Sequence, residues 1–111
     1  GRNDWTKRIC VGRASNNDII IRHQSVSKLH AYFMVQVSRE RLKRVERLVL
    51  VDAGSVNGTL LNGGAIEAVS KGGKGEPLTV GDRISFGEVD CEFLDAQSLY
   101  HRLKHGASVD F

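Results

Sequence analysis

The chain has 111 residues, 41% hydrophobic and 26% charged, which suits one core of ordinary domain size, so these residues are expected to form one domain. No apolar run approaches the roughly 20 residues of a membrane-spanning helix, and no charged-then-apolar leader opens the sequence; a cytoplasmic location is expected. The net charge of +3 admits an anionic partner but falls short of the basic face of a nucleic-acid binder, and neither a nucleic acid nor a membrane is expected as partner.

Short β-type runs, separated by Gly, Asn, Asp and Ser, follow one another at 8–11, 18–21, 29–37, 48–53, 59–61, 65–69, 83–86 and 89–94. Several alternate polar with apolar side chains, as in Arg83, Ile84, Ser85, Phe86 and again in Cys91, Glu92, Phe93, so one face is buried and the other wet. Such a series predicts an all-β, antiparallel sandwich or barrel. Cys10 and Cys91 lie inside these runs without metal-ligand spacing and read as buried free thiols. Two stretches depart from the pattern. The basic segment 39–47, RERLKRVER, lies between two strong strands and reads as a solvated hairpin end, with a docking patch as the functional alternative. The segment 72–76, GGKGE, reads as a loop tip, since no strand and helix flank it as a P-loop requires. From Ala96 to His105, Leu99 and Leu103 stand four apart before Gly106, which predicts a short amphipathic helix in a 96–111 tail beyond a 1–95 sandwich.

Three polar turns share a chemical theme: Gly12 and Arg13; Ser27, Lys28 and His30; and Ser55, Asn57, Gly58 and Thr59. In an antiparallel sandwich, loops distant in sequence gather at one end. A guanidinium, a hydroxyl and an ammonium together suit a phosphate, and a carboxamide suits an extended peptide backbone.

The order VGR, NDIII, SVSKLHA, DAGSVNGTLLNG and LTVGDRISFG resembles the forkhead-associated (FHA) domain. That resemblance spans about residues 9–93 and implies a sandwich of about eleven strands that binds phosphothreonine in a partner protein, such as a Ser/Thr kinase or its substrate, without enzymatic activity or a cofactor. It assigns Arg13, Ser27 and Lys28 to the phosphate and Asn57 to the peptide main chain, with Ser55 as a further contact. Val56 would line a pocket for the threonine methyl. Gly12, His30 and Gly58 would shape the loops. Ser25 stands where certain members use Arg to read a flanking peptide side chain, so an acidic preference is not implied. Only eleven residues precede Gly12, whereas family members usually carry two strands there; the first strands are expected to be abbreviated around Trp5, or the sequence to begin inside the domain. The oligomeric state stays open.

Other chemistry is weaker. Ser27, His30 and Asp52 are badly spaced for a hydrolase relay, and neither a nucleophile elbow nor an oxyanion hole surrounds the serines. His101 and His105 have metal-capable spacing but lack a third ligand. Asn57-Gly58-Thr59 matches a glycosylation sequon and reads as coincidence in a chain without a leader. The principal rival to phosphopeptide binding is phosphate-independent docking or oligomerisation through a sheet face or the C-terminal helix.

Overall fold

The computed structural model describes residues 8–95 and 97. Among them are nine strands: β1 (Ile9–Gly12), β2 (Ile19–Ile20), β3 (Ala31–Glu40), β4 (Lys43–Asp52), β5 (Thr59–Leu61), β6 (Gly64–Ala65), β7 (Glu76–Pro77), β8 (Arg83–Phe86) and β9 (Val89–Glu92). They form a five-stranded sheet in the order β2-β1-β3-β4-β7 and a four-stranded sheet in the order β6-β5-β8-β9. Every pairing is antiparallel except β1 with β2, where Val11 faces Ile19 and Gly12 faces Ile20. The all-β, two-sheet expectation holds. The expected helix with Leu99 and Leu103, the histidines 101 and 105, and the Trp5 region all lie outside the described residues.

Ile9, Val11, Ala31, Phe33, Val35, Leu48 and Leu50 from one sheet meet Ile84 and Phe86 from the other, joined by Val26 and Phe93. Phe33 and Phe93 stack with centroids 6.5 Å apart. The alternate residues Tyr32, Val49 and Val51 form a second apolar cluster with Cys10, Met34 and Ala53. β3 and β4 are therefore buried on both faces near their site-proximal ends, which is why they read as nearly unbroken apolar runs. Arg8 lies over the Tyr32 ring at 4.4 Å, a cation–π contact on the far side of that sheet.

Three local expectations are revised. Strands β3 and β4 do not stop before the basic segment; pairing continues to Glu40 opposite Lys43, and the turn consists of Arg41 and Leu42 alone. Ladder hydrogen bonds propagate past the point where the core ends. The predicted strand 65–69 shrinks to a pair at Gly64–Ala65 followed by a 3-10 turn, Val69–Lys71, closed by Gly72 at φ +94°. The 72–76 segment lies against the fold instead of projecting as a tip: a Cβ on Gly75 would fall 3.0 Å from a Val49 methyl, and the Lys74 carbonyl accepts from Gln36 Nε2 at 3.1 Å. The chain then pairs Pro77 with Val49 and Glu76 with Leu50.

The thiols are unbridged and half-buried. Burial raises both thiol pKa values, with added repulsion from Asp18 at Cys10 and from Asp90 at Cys91. No helix among the described residues is long and apolar enough to cross a membrane.

Candidate functional site

The three polar turns meet at one end of the sandwich, held by backbone hydrogen bonds before any side chain is considered. The Arg13 N–H donates to the Ser27 carbonyl at 2.9 Å and Ala14 N–H to the Lys28 carbonyl at 3.2 Å. Gly12 is buried between them. A Cβ there would lie 2.1 Å from the Lys28 carbonyl oxygen, so only glycine permits this approach. Asn17 completes the join by donating from Nδ2 to Ala14 and Lys28 carbonyls at 2.9 and 2.6 Å.

His30, fully buried, links the second turn to the third. Its Nδ1 accepts the Ser27 N–H at 3.0 Å, so the ring proton sits on Nε2 and is donated to the Gly58 carbonyl at 2.8 Å. The ring meets the Phe86 ring edge-on at 5.8 Å. Gly58, at φ +85°, also accepts the Gly87 N–H at 3.1 Å, so one carbonyl oxygen ties the site to the β8–β9 turn.

Asp52 organises the third turn from beneath. Its Oδ1 accepts the Ser55 and Thr59 hydroxyls at 2.5 and 2.6 Å, and its Oδ2 accepts the Gly54 and Ser55 N–H groups at 3.1 and 3.2 Å. Burial alone would raise the Asp52 carboxyl pKa, but these four bonds outweigh it and hold the group below its ordinary value. Thr59 is fully buried as part of this arrangement. Sequence reasoning placed Asp52 in a strand and missed this role. The signal was present as Asp-x-Gly-Ser, the pattern of a side chain capping its own turn.

Arg13, Ser27 and Lys28 stand together and retain their polar donors. The Arg13 Nε–H donates to the Val26 carbonyl at 3.0 Å, which aims the guanidinium and leaves its terminal nitrogens available. Ser27 Oγ accepts the Val56 N–H at 3.0 Å, leaving its own proton free to be donated. Lys28 is exposed. Asn57 is exposed as well, with its Nδ2 braced on the Ser25 carbonyl at 2.8 Å. Val56 is 88% exposed. Ser55 differs from the others, because its hydroxyl proton is directed inward to Asp52.

Beside Asn57 lies a depression of about 530 Å³ lined by Gln24, Ser25, Gly87 and Glu88 as well as Asn57 itself. Ser25 is buried and fixes its wall: Oγ bonds His23 Nδ1 at 2.8 Å and accepts the Glu88 N–H at 2.9 Å. The contribution of Gly87 and Glu88 was not foreseen, since a two-residue hairpin turn carries no sign of which end of a sandwich it reaches.

Ser27, His30 and Asp52 form no proton relay. Nδ1 of His30 faces a backbone N–H, the Ser27 hydroxyl faces Val56, and Asp52 bonds only its own turn. Among the described residues no cluster of His, Cys, Asp or Glu could hold a metal.

The FHA-domain family model matches residues 9–87. The chain belongs to the FHA family. Solved structures share the fold. The MEK1 FHA domain in complex with a phosphothreonine peptide of HOP1 superposes with a TM-score of 0.63 at 22% identity, covering 83% of each chain. EmbR of Mycobacterium tuberculosis, in complex with a low-affinity phosphopeptide, gives 0.59 at 23% identity over 78% of this chain. This chain spans only 19% of EmbR. The second FHA domain of a Mycobacterium tuberculosis ABC transporter gives 0.55 at 27% identity, covering 81% of this chain and 69% of that one. No curated protein matches the chain.

Proposed function

We propose that this FHA domain is a non-enzymatic module that binds phosphothreonine in a partner protein, operating beside Ser/Thr kinase signalling in the cytoplasm. The supporting observation is the concentration of unused donors on Arg13, Ser27 and Lys28 at a point where the carboxylate of Asp52 is buried and already saturated. A dianionic phosphate there gains charge-assisted hydrogen bonds from a guanidinium, a hydroxyl and an ammonium. Asn57, held by the Ser25 carbonyl, presents its side-chain oxygen to the peptide main chain. The exposed Val56 offers an apolar contact to a threonine methyl, which a phosphoserine lacks. Among the described residues lining the adjoining depression Glu88 is the only charged one, so a basic peptide side chain is favoured there.

Calorimetric titration with matched phosphothreonine, phosphoserine and unmodified threonine peptides tests the reading. The phosphothreonine peptide is expected to bind best and the unmodified one not at all. Arg13→Ala, at an exposed position, is expected to weaken binding by at least about tenfold, the loss of one charge-assisted bond, with the unfolding midpoint unchanged. Equal affinity for the three peptides overturns the proposal.

A further inference from the structure

The phosphate site leaves the far end of the β3–β4 hairpin without a role. From Gln36 to Arg44 every residue is exposed, beyond the end of the core. Ala31 pairs with Asp52 at the site and Glu40 pairs with Lys43 at the other end. At roughly 3.3 Å per residue, ten residues put about 30 Å between them. The nine residues 39–47 carry Arg39, Arg41, Lys43, Arg44 and Arg47 against Glu40 and Glu46. That surplus of three equals the net charge of the whole chain, +3; 11 of the 16 basic and 11 of the 13 acidic residues remain elsewhere and cancel. The arm thus carries a surplus equal to the chain's net charge, while the charges elsewhere sum to zero.

The arrangement of the charges matters as much as their number. Residues directly opposite in an antiparallel pair share a face, so Arg39 and Arg44 project from one face and Glu40 and Lys43 from the other. Arg47 pairs with Glu40 at 3.1 Å and Arg44 with Glu46 at 3.4 Å; Arg39, Arg41 and Lys43 have no ion pair among the described residues. Cations thus surround the tip instead of painting one side. At the tip itself Leu42 is 93% exposed and sits at φ +65°, beside Arg41 at φ +51°. A two-residue hairpin turn with positive φ at both positions favours Asn-Gly, and a leucine there is strained as well as unshielded.

A ring of cations around a convex apolar tip fits end-on contact with a surface that is anionic and yields to an inserted side chain. We propose that the β3–β4 arm is a second binding site, independent of the phosphate site, that docks on an anionic lipid surface with Leu42 in the headgroup boundary and Arg39, Arg41, Lys43 and Arg44 against the headgroups. Polybasic segments gain from each charge near such a surface, and an apolar side chain adds burial. This peripheral contact departs from the sequence-based expectation of no membrane partner, which rested on the lack of a membrane-spanning apolar run, and takes up the docking-patch reading of the basic segment. Duplex nucleic acid, the other polyanion of this size, offers phosphates but gives an exposed leucine at the tip little to bury against.

Cosedimentation of the 111-residue chain with extruded vesicles tests the proposal, using phosphatidylcholine alone and phosphatidylcholine with phosphatidylserine. Binding is expected only with phosphatidylserine present, falling at least about tenfold for Arg41→Glu with Lys43→Glu and severalfold for Leu42→Asp. Arg41→Asn with Leu42→Gly installs a favoured turn, so a loss of vesicle binding there with an unchanged or raised unfolding midpoint reports contact and not misfolding. Equal sedimentation with both vesicle types, retained binding in all three variants, or tighter arm-dependent binding to a duplex DNA than to the anionic vesicles overturns the proposal.

Discussion

At one end of the β3–β4 hairpin, Asp52 accepts four hydrogen bonds, His30 spans two loops through both ring nitrogens, and Gly12 fits only because it has no Cβ. At the other, Arg41 and Leu42 turn the chain at positive φ in full solvent with their side chains unengaged. The same two strands carry both ends. The difference matches what each end is proposed to hold. A phosphate bound by directional donors needs loops fixed to within fractions of an ångström, whereas a charge ring needs only to project. No buried side-chain polar atom among the described residues lacks a partner, so the fixing at the first end is internally complete.

The contrast breaks most severely at Asp52. Asp52→Ala leaves two backbone N–H groups and two hydroxyls without their acceptor and is expected to cost about 3 kcal/mol in urea unfolding, together with loss of phosphopeptide binding. Gly12→Ala, which forces the Lys28 carbonyl away, is expected to cost about 2 kcal/mol and to weaken phosphopeptide binding severalfold by shifting Arg13 and Lys28 apart. An acid titration sharpens the point. Because the folded-state pKa of Asp52 lies below its ordinary value, its contribution is complete at neutral pH. It fades once the pH drops below about 4, where the unfolded chain binds the proton first, and is gone below the folded-state value. Asp52→Asn is expected to flatten that part of the stability profile. The smallest effect belongs to the arm: Arg41→Asn with Leu42→Gly is expected to raise stability by about 1 kcal/mol, as relief of left-handed strain exceeds the entropy cost of glycine, with phosphopeptide affinity unchanged.

The same contrast governs what could be read from the amino-acid order. Arg13, Ser27, Lys28, His30 and Asn57 stood out as polar residues in three turns whose order resembles the FHA pattern, and the structure brings those three turns together. Asp52 was passed over although Asp-x-Gly-Ser signals a side chain capping its own turn; only its bond to the Thr59 hydroxyl lies beyond that local pattern. Asn17 was hidden for a similar reason: its carboxamide bonds a carbonyl eleven positions away, a distance no local pattern reveals. In the arm the basic composition masked a continuing β-ladder, because alternation of hydrophobicity marks burial and not pairing. Strand β7 has only Glu76 and Pro77, too short to announce itself after a run of glycines.

The imidazole of His30 has one further consequence. With the Ser27 amide on one nitrogen and the Gly58 oxygen on the other, the width of a five-membered ring sets the gap between Ser27 and the asparagine next to Gly58. In the proposed binding mode an incoming peptide meets that spacing already established, and association loses little loop entropy. A substitute at position 30 of different reach would alter the size of ligand the two loops accept, even if it preserved both hydrogen bonds.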